Sequence, residues 1–350
     1  MIWLTFRQFR VQGAVVFGGL AILGAVLAVT GPGLSDDYDT RLAACTALGD
    51  CSNFNRRFFV DHEVYFGALV AIVLFLPALI GIFWGAPLIT RELENGTHRL
   101  VWNQSVSRTR WLAVKLGLVG LAAVAAAGLA VFAASWWSGP LDKALAERTP
   151  RMAPLLFDAR GITPIGYAAF AFTLGVTVGV LVRRLLPTMA ITLVVFVAVQ
   201  ILMPLWVRPH LIPPVSKTVA IASEGLEQMT LNAPPDSPSA KMQVEMQAEP
   251  GAWTLSNETI DASGRTVDAI PGSALGRACD PPGPGPDGEP PPGPPQACFD
   301  KIAQLGYKQK VSYQPADRFW PLQWAETGVF AVLTLGLTGL CFHWTRRRIS

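Results

Sequence analysis

The sequence predicts an α-helical polytopic membrane protein. It has six transmembrane helices with cytoplasmic termini, plus a small β-containing extracytoplasmic domain between helices 5 and 6. Three observations predict this. Charged residues are 15% of the 350 and hydrophobic ones 51%, whereas a soluble domain carries about 25% charged residues to face water. Six long stretches lack Asp, Glu, Lys and Arg altogether. The basic residues also concentrate on one side of those stretches. A mean hydropathy of +0.36 agrees. Disorder and a disulfide-dense mini-scaffold are excluded by the high apolar content and by only five Cys.

A helix needs roughly 20 apolar residues to cross a bilayer. Charge-free stretches at 11–35, 64–90, 116–141, 161–182 and 185–207 meet that length. A sixth, 327–345, extends past Glu326 to Pro321. The spans are therefore placed at 12–31, 64–86, 114–136, 164–182, 186–206 and 321–343. The first has no small-residue cleavage site at its end, so it reads as a span and not as a signal peptide.

Six spans put both termini on one side, and the positive-inside rule selects the side. With cytoplasmic termini, the inner segments carry twelve Lys/Arg against two acids, Glu92 and Glu94. The outer segments carry sixteen Lys/Arg against twenty-three acids. Arg183 and Arg184, in a tight turn, weigh most. The expected location is the cell membrane, multi-pass, with membrane lipids around the spans.

In that orientation Cys45 and Cys51 lie in the first outer loop, and Cys279 and Cys298 in the last outer segment. An oxidising compartment and an even count suggest two bridges; the alternative is buried free thiols. Cys341 falls inside the sixth span and reads as packing.

Residues 1–11 read as an amphipathic interfacial helix, since Ile2, Trp3, Phe6 and Phe9 alternate with Arg7, Gln8 and Arg10. The alternative is a plain extension of the first span. Residues 12–206 hold helices 1–5, with a cytoplasmic segment at 87–113. The outer loop 32–63 opens at Gly31-Pro32-Gly33. Residues 207–320 form the extracytoplasmic domain. Within it Lys241–Gln247 alternates like a strand, and Trp253–Ile260 with 265–270 flanks a Gly-containing turn, as in a β-hairpin. The Pro/Gly-rich tract 280–295 reads as extended loop. Residues 321–350 are helix 6 and a basic cytoplasmic tail.

Several chemistries are absent from the sequence. There is no Gly-Lys pair and so no Walker A loop, no HExxH, no GxSxG and no CxxC. No catalytic residues and no metal site are predicted, and no nucleic-acid partner. His62, between Asp61 and Glu63, reads as the solvated end of a span. Glu326 is an acid inside a span, a functional candidate by default. Its place beside Trp324, near the outer end, favours a solvated interfacial role.

The informative stretch is 90–115, TRELENGTHRLVWNQSVSRTRWLAVK. Two acids, a Gly-Thr break and an Arg/Trp segment do more than set topology, for which the acids and the Gly-Thr are of no use. This segment resembles the hallmark of ABC-2 type transporter permeases: an acidic stretch, Gly-Thr, then a Ser-Arg motif leading through Trp to Lys at the third span. MIWLTFRQFRVQ, SYQPADRFWPLQWAE and HWTRRR resemble an actinobacterial-like form of the same subunit.

The resemblance implies a transport subunit that is not itself an enzyme. It implies pairing with a second permease copy, as a homodimer or heterodimer, and binding of two copies of an ABC ATPase. No cofactor is expected on this chain; ATP and Mg belong to the ATPase. Segment 90–110 then resembles the coupling helix that docks on the motor. The implied contacts are Glu92, Glu94, Thr97, Arg99, Arg108 and Arg110, with Gly96 permitting the turn, and Arg183 and Arg184 as a secondary cytoplasmic contact. The expected function is export of an apolar or amphipathic substrate, such as a drug, lipid or peptide, by alternating access. The substrate-binding residues are not readable. A competing reading is a membrane-anchored extracytoplasmic sensor or binding protein, in a self-resistance or signalling complex.

Overall fold

The computed structural model describes residues 2–48, 51, 54–96, 107–145, 151–232, 240–247, 249–280 and 294–348. Among the described residues, six helices are long and apolar enough to cross a membrane: Thr5–Ala47, Phe54–Glu94, Arg108–Trp137, Thr163–Val182, Leu185–Leu211 and Ala316–Arg347. Each contains most or all of one predicted span. The chain divides into two compact units, Met1–Leu211 with Phe319–Ser350, and Ile212–Arg318.

In the first unit the helices overrun the predicted spans. Helix α1 is Ile2–Leu48, 47 residues, or about 70 Å at 1.5 Å per residue. A bilayer core is about 30 Å thick. The expected loop at Gly31-Pro32-Gly33 does not form, because α1 continues through Pro32. Proline removes one intrahelical hydrogen bond, but side-chain contacts hold the helix on both sides of it. Trp137 Nε1 donates to Thr30 Oγ1 at 2.9 Å. Arg41 pairs with Asp37 and reaches Asp61 at 3.1 Å. Tyr38 packs on Phe54 and Phe58. The Cys45–Cys51 disulfide then links the end of α1 to the approach to α2.

Helix α2 (Phe54–Ile80), a π-helical turn (Gly81–Gly85) and α3 (Ala86–Glu94) make one continuous run. Single π turns inside α-helices often mark functional positions. Here the turn carries two glycines against α7 (Thr163–Val182). A Cβ on Gly85 would overlap the Phe172 carbonyl oxygen, and one on Gly175 the Gly81 carbonyl oxygen. Small residues let these backbones meet. Helix α7 is the most enclosed: 78% of its most apolar stretch is buried, against 11% in α1.

Helix α4 (Arg108–Trp137) is followed by short helices α5 (Gly139–Leu145) and α6 (Pro154–Asp158). After α7 come α8 (Leu185–Leu202), a second π turn (Met203–Val207) and α9 (Arg208–Leu211). Helix α12 (Phe319–Arg348) closes the chain. Glu326 corrects its sequence-based expectation. It is fully buried and paired with Arg208, while Trp324 is 65% exposed. Two residues turn a helix by about 200°, so the neighbours point to opposite faces.

The second unit is antiparallel. Its strands are β1 (Val215–Ala220), β2 (Leu226–Leu231), β3 (Lys241–Met246), β4 (Trp253–Ile260), β5 (Thr266–Val267), β6 (Ile270–Pro271) and β7 (Lys308–Gln314). They form sheets of order β1-β7-β4-β5 and β2-β3-β6. Strand β3 buries Met242, Val244 and Met246 and exposes the residues between them, as its alternation predicts. The β4–β5 hairpin forms, with a second arm of only two residues. Its turn is closed by Asp261, which accepts from the Ser263 hydroxyl and from the Ser263 and Arg265 amides. Those bonds, led by the Ser263 hydroxyl, hold the partly exposed Asp261 carboxyl down at about 2.

Side-chain amides stitch the two sheets together. Asn257 bonds both the amide and the carbonyl of Met246, and Gln309 Nε2 donates to Val244 O at 2.8 Å. Two short helices, α10 (Gly272–Leu275) and α11 (Gln296–Gln304), complete the unit. The Cys279–Cys298 disulfide spans 19 positions and contributes about 3 kcal/mol by the loop-entropy argument. Most of the Pro/Gly tract it encloses, 281–293, lies outside the described residues.

Candidate functional site

Of the sequence-predicted coupling residues, Glu92, Glu94, Gly96, Arg108, Arg110, Arg183 and Arg184 fall among the described ones, at the end of the first unit where the chain starts. Helix α3 leads into their segment and α4 leads out of it. Thr97, Arg99 and the rest of 97–106 lie outside the described residues. The two flanks, however, are well defined.

The exit flank starts with a cap. Ser107 has extended backbone, and its hydroxyl accepts from the Arg110 amide at 3.3 Å. This satisfies one of the orphan donors of a helix start. It leaves Arg108 partly exposed and Arg110 exposed in the first turn of α4. The entry flank ends at Asn95, followed by Gly96 with φ +70°. A left-handed residue there terminates the helix, and glycine adopts it without a Cβ clash.

One ion pair joins the two flanks. Lys115 Nζ lies 2.6 Å from Glu92 Oε1 and donates to Leu88 O at 3.3 Å. Lys115 is 2% exposed and Glu92 9%. Gln8 of α1 donates to the same Glu92 oxygen at 2.9 Å. The Lys115 ammonium also sits 5.1 Å from the Trp111 ring centroid, and Phe9 packs edge-on against Trp84 at 4.6 Å. Glu92 is thus turned inward and binds three helices together. Breaking such a pair costs roughly 3–5 kcal/mol, because it strands a buried charge.

Glu94 behaves differently. It is exposed and reaches across to α8, where its Oε2 accepts from the Leu185 amide at 3.1 Å. A carboxylate at a helix N-terminus satisfies an orphan donor and complements the helix dipole. Arg183 ends α7 in a left-handed conformation (φ 59°), unusual for a non-glycine residue. It and Arg184 are exposed beside that contact. The structure therefore brings together Glu94 and the Arg183–Arg184 turn, which lie about 90 positions apart.

Two members of this arrangement, Gln8 and Lys115, are not among the predicted contacts. In the sequence Lys115 is the Lys that ends the motif at the third span, and Gln8 is one polar position of an interfacial helix. The remaining signal was the spacing of Glu92 from the start of the third span, which does not specify a pairing.

No curated protein matches this chain, and no solved structure does. A family model does: that of the ABC-2 membrane transporter related family matches residues 17–208. The match covers α2, α3, α4, α7, α8 and most of α1, with both flanks of the Glu92–Lys115 pair. It spans more than half of the 350 residues, and the chain belongs to the ABC-2 membrane transporter related family.

Proposed function

We propose that this chain is the permease subunit of an ATP-driven exporter, with its termini in the cytoplasm and its 212–318 unit outside. Two copies of a separate ABC ATPase supply the energy and hold the ATP and Mg. A second permease copy completes the pathway. The cargo is apolar or amphipathic, in keeping with helices rich in Leu, Val, Ala and Phe. Alternating access follows when ATP-driven closure of the motors displaces the segment at 95–107.

The observation that carries this reading is the convergence at the chain-start end. Glu92 and Lys115 tie the two flanks of the segment to each other, and Glu94 ties the entry flank to α8. A push on the segment is then delivered to α3, α4 and α8 together and is not absorbed by a loose loop. Glu94, Arg108, Arg110, Arg183 and Arg184 offer charged groups for the ATPase, with Thr97 and Arg99 in the segment between. Glu92 and Lys115 act as positioning residues behind them.

The test is co-purification of the tagged chain from its native membrane, followed by an ATPase assay. A stoichiometric nucleotide-binding subunit that is lost on Glu94→Lys or Arg108→Glu supports the reading. Gentle extraction that yields no nucleotide-binding protein refutes it and leaves the 212–318 unit as a receptor module on a membrane anchor.

A further inference from the structure

Three charged side chains meet inside the first unit, at the end opposite the chain termini. Asp158 closes α6, Arg208 opens α9, and Glu326 lies about two turns into the long helix α12. Arg208 and Glu326 are fully buried and Asp158 is 5% exposed. Arg208 Nε donates to Glu326 Oε2 at 2.7 Å and Nη2 to Glu326 Oε1 at 3.0 Å. Nη2 also donates to Asp158 Oδ1. The guanidinium carbon sits 4.1 Å from the Phe157 ring centroid.

The charges do not balance. Two carboxylates around one guanidinium carry a net −1 when all are ionised, and an uncompensated buried charge costs several kcal/mol. Among the described residues, no further positive group acts on Asp158. Arg160 is paired with Asp142 at 3.3 Å and donates to Ser138. His210, on α9, is exposed, with its Nδ1 against the Trp206 carbonyl. Tyr167 of α7 is 2% exposed and acts on both carboxylates. A neutral phenol offers a dipole but no positive charge.

We propose that Asp158, Arg208 and Glu326 form a proton-binding site, in which Asp158 carries one exchangeable proton and its loss loosens α6 from α9 and α12. The geometry selects Asp158 over Glu326. Glu326 takes the fork-to-fork contact with Arg208, with both its oxygens engaged. Among the described residues, Asp158 has Arg208 as its one hydrogen-bond partner, through Oδ1, leaving Oδ2 for the proton. Burial raises the Asp158 carboxyl, Arg208 opposes this and Glu326 adds to it, with the result at about 7. A carboxyl raised in the folded state adds stability that is complete below its ordinary value and is lost as pH rises through the raised one. This inference rests on the cluster alone and stands whether or not the transport reading does.

The test uses the purified full-length chain in detergent. Its background carries Glu227→Gln, because burial and Glu245 raise that carboxyl too. Unfolding temperature is followed from about pH 5 to about pH 9, bracketing the raised value. The expected result is a fall in the parent's stability through neutral pH. In Asp158→Asn, which keeps the shape and is permanently uncharged, the curve is flat and matches the parent at low pH. Parallel curves for parent and variant overturn the proposal. Infrared spectra of the parent alone give a second readout that needs no folded variant. Near about pH 6 exposed carboxyls are ionised, so a protonated-carboxyl band is expected from the buried site and its absence overturns the proposal.

Discussion

Glu94 Oε2 accepts a hydrogen bond from the Leu185 amide at 3.1 Å, across 91 positions of sequence. An acid at the end of one membrane helix thereby caps the start of another. Capping and dipole effects of this kind are worth about 1 kcal/mol, less at an exposed position. Glu94→Gln keeps an acceptor at the same place, so its expected unfolding temperature is within a few degrees of wild type. Glu94→Lys places a cation at a helix N-terminus and reverses the charge offered to a partner. Its expected signature is a small stability loss with a complete loss of the co-purifying ATPase. Equal loss of the partner in both variants would show that the acid's charge, and not its reversal, governs the contact.

The Glu92–Lys115 pair makes a sharper prediction, because both groups are buried. Lys115→Met or Glu92→Leu alone strands one charge and should cost roughly 3–5 kcal/mol. The double variant removes both charges and should recover most of that loss. A double-mutant cycle by denaturant or thermal unfolding measures the coupling, and a coupling near zero would contradict the geometry. Recovered stability without recovered ATPase stimulation would identify the pair as the element that joins the segment's two flanks.

The spans were legible because about 20 apolar residues without charge have few other uses. The fourth also ends where expected, at Thr163–Val182 against 164–182, but most other ends were not legible. Whether α1 stops at Pro32 depends on Trp137, Asp61 and Phe58, which are distant in sequence and outweigh one missing hydrogen bond. Strands β3 and β4 showed in their composition and alternation. Strand β1 did not, since its residues are mostly exposed and it is recruited by pairing with β7. The acids of the candidate site could be marked by type, but their partners could not. Gln8 and Leu185 are chosen by the packing of whole helices. Arg208 and Asp158 read as the end of a span and as a loop residue until α6, α9 and α12 converge on them.

Close helix packing gives the third prediction. A Cβ at Gly175 would overlap the Gly81 carbonyl oxygen and come within 2.8 Å of the Ala86 amide nitrogen. Both are backbone atoms and cannot rotate away. Gly175→Leu should therefore push α7 off the π turn and cost at least 1–3 kcal/mol, the usual range for overpacking. Expression level and unfolding temperature report it. Gly117→Ala is the control, since nothing lies within 4 Å of its added methyl and a helix gains about 1 kcal/mol from the exchange. Comparable losses in the two variants would mean that α7 does not depend on this contact.

Gln323 supplies the last prediction. It lies on α12, fully buried. Its Oε1 accepts from the Ile162 and Thr163 amides at 2.9 Å each and from the Thr163 hydroxyl at 2.6 Å. Its Nε2 donates to the carbonyls of Phe157 and Arg160. One amide thus caps the start of α7 and closes the loop after α6. Gln323→Leu fills nearly the same volume but leaves up to five buried polar groups without this partner. An orphaned buried group costs roughly 1–3 kcal/mol, so even with partial rescue by water the variant should be severely destabilised. Gln323→Glu keeps the acceptor but loses the two donated bonds, so it should fall between Leu and wild type. Thermal unfolding of the three proteins orders them. A Leu variant as stable as wild type would show that α7 starts at Thr163 without help from α12.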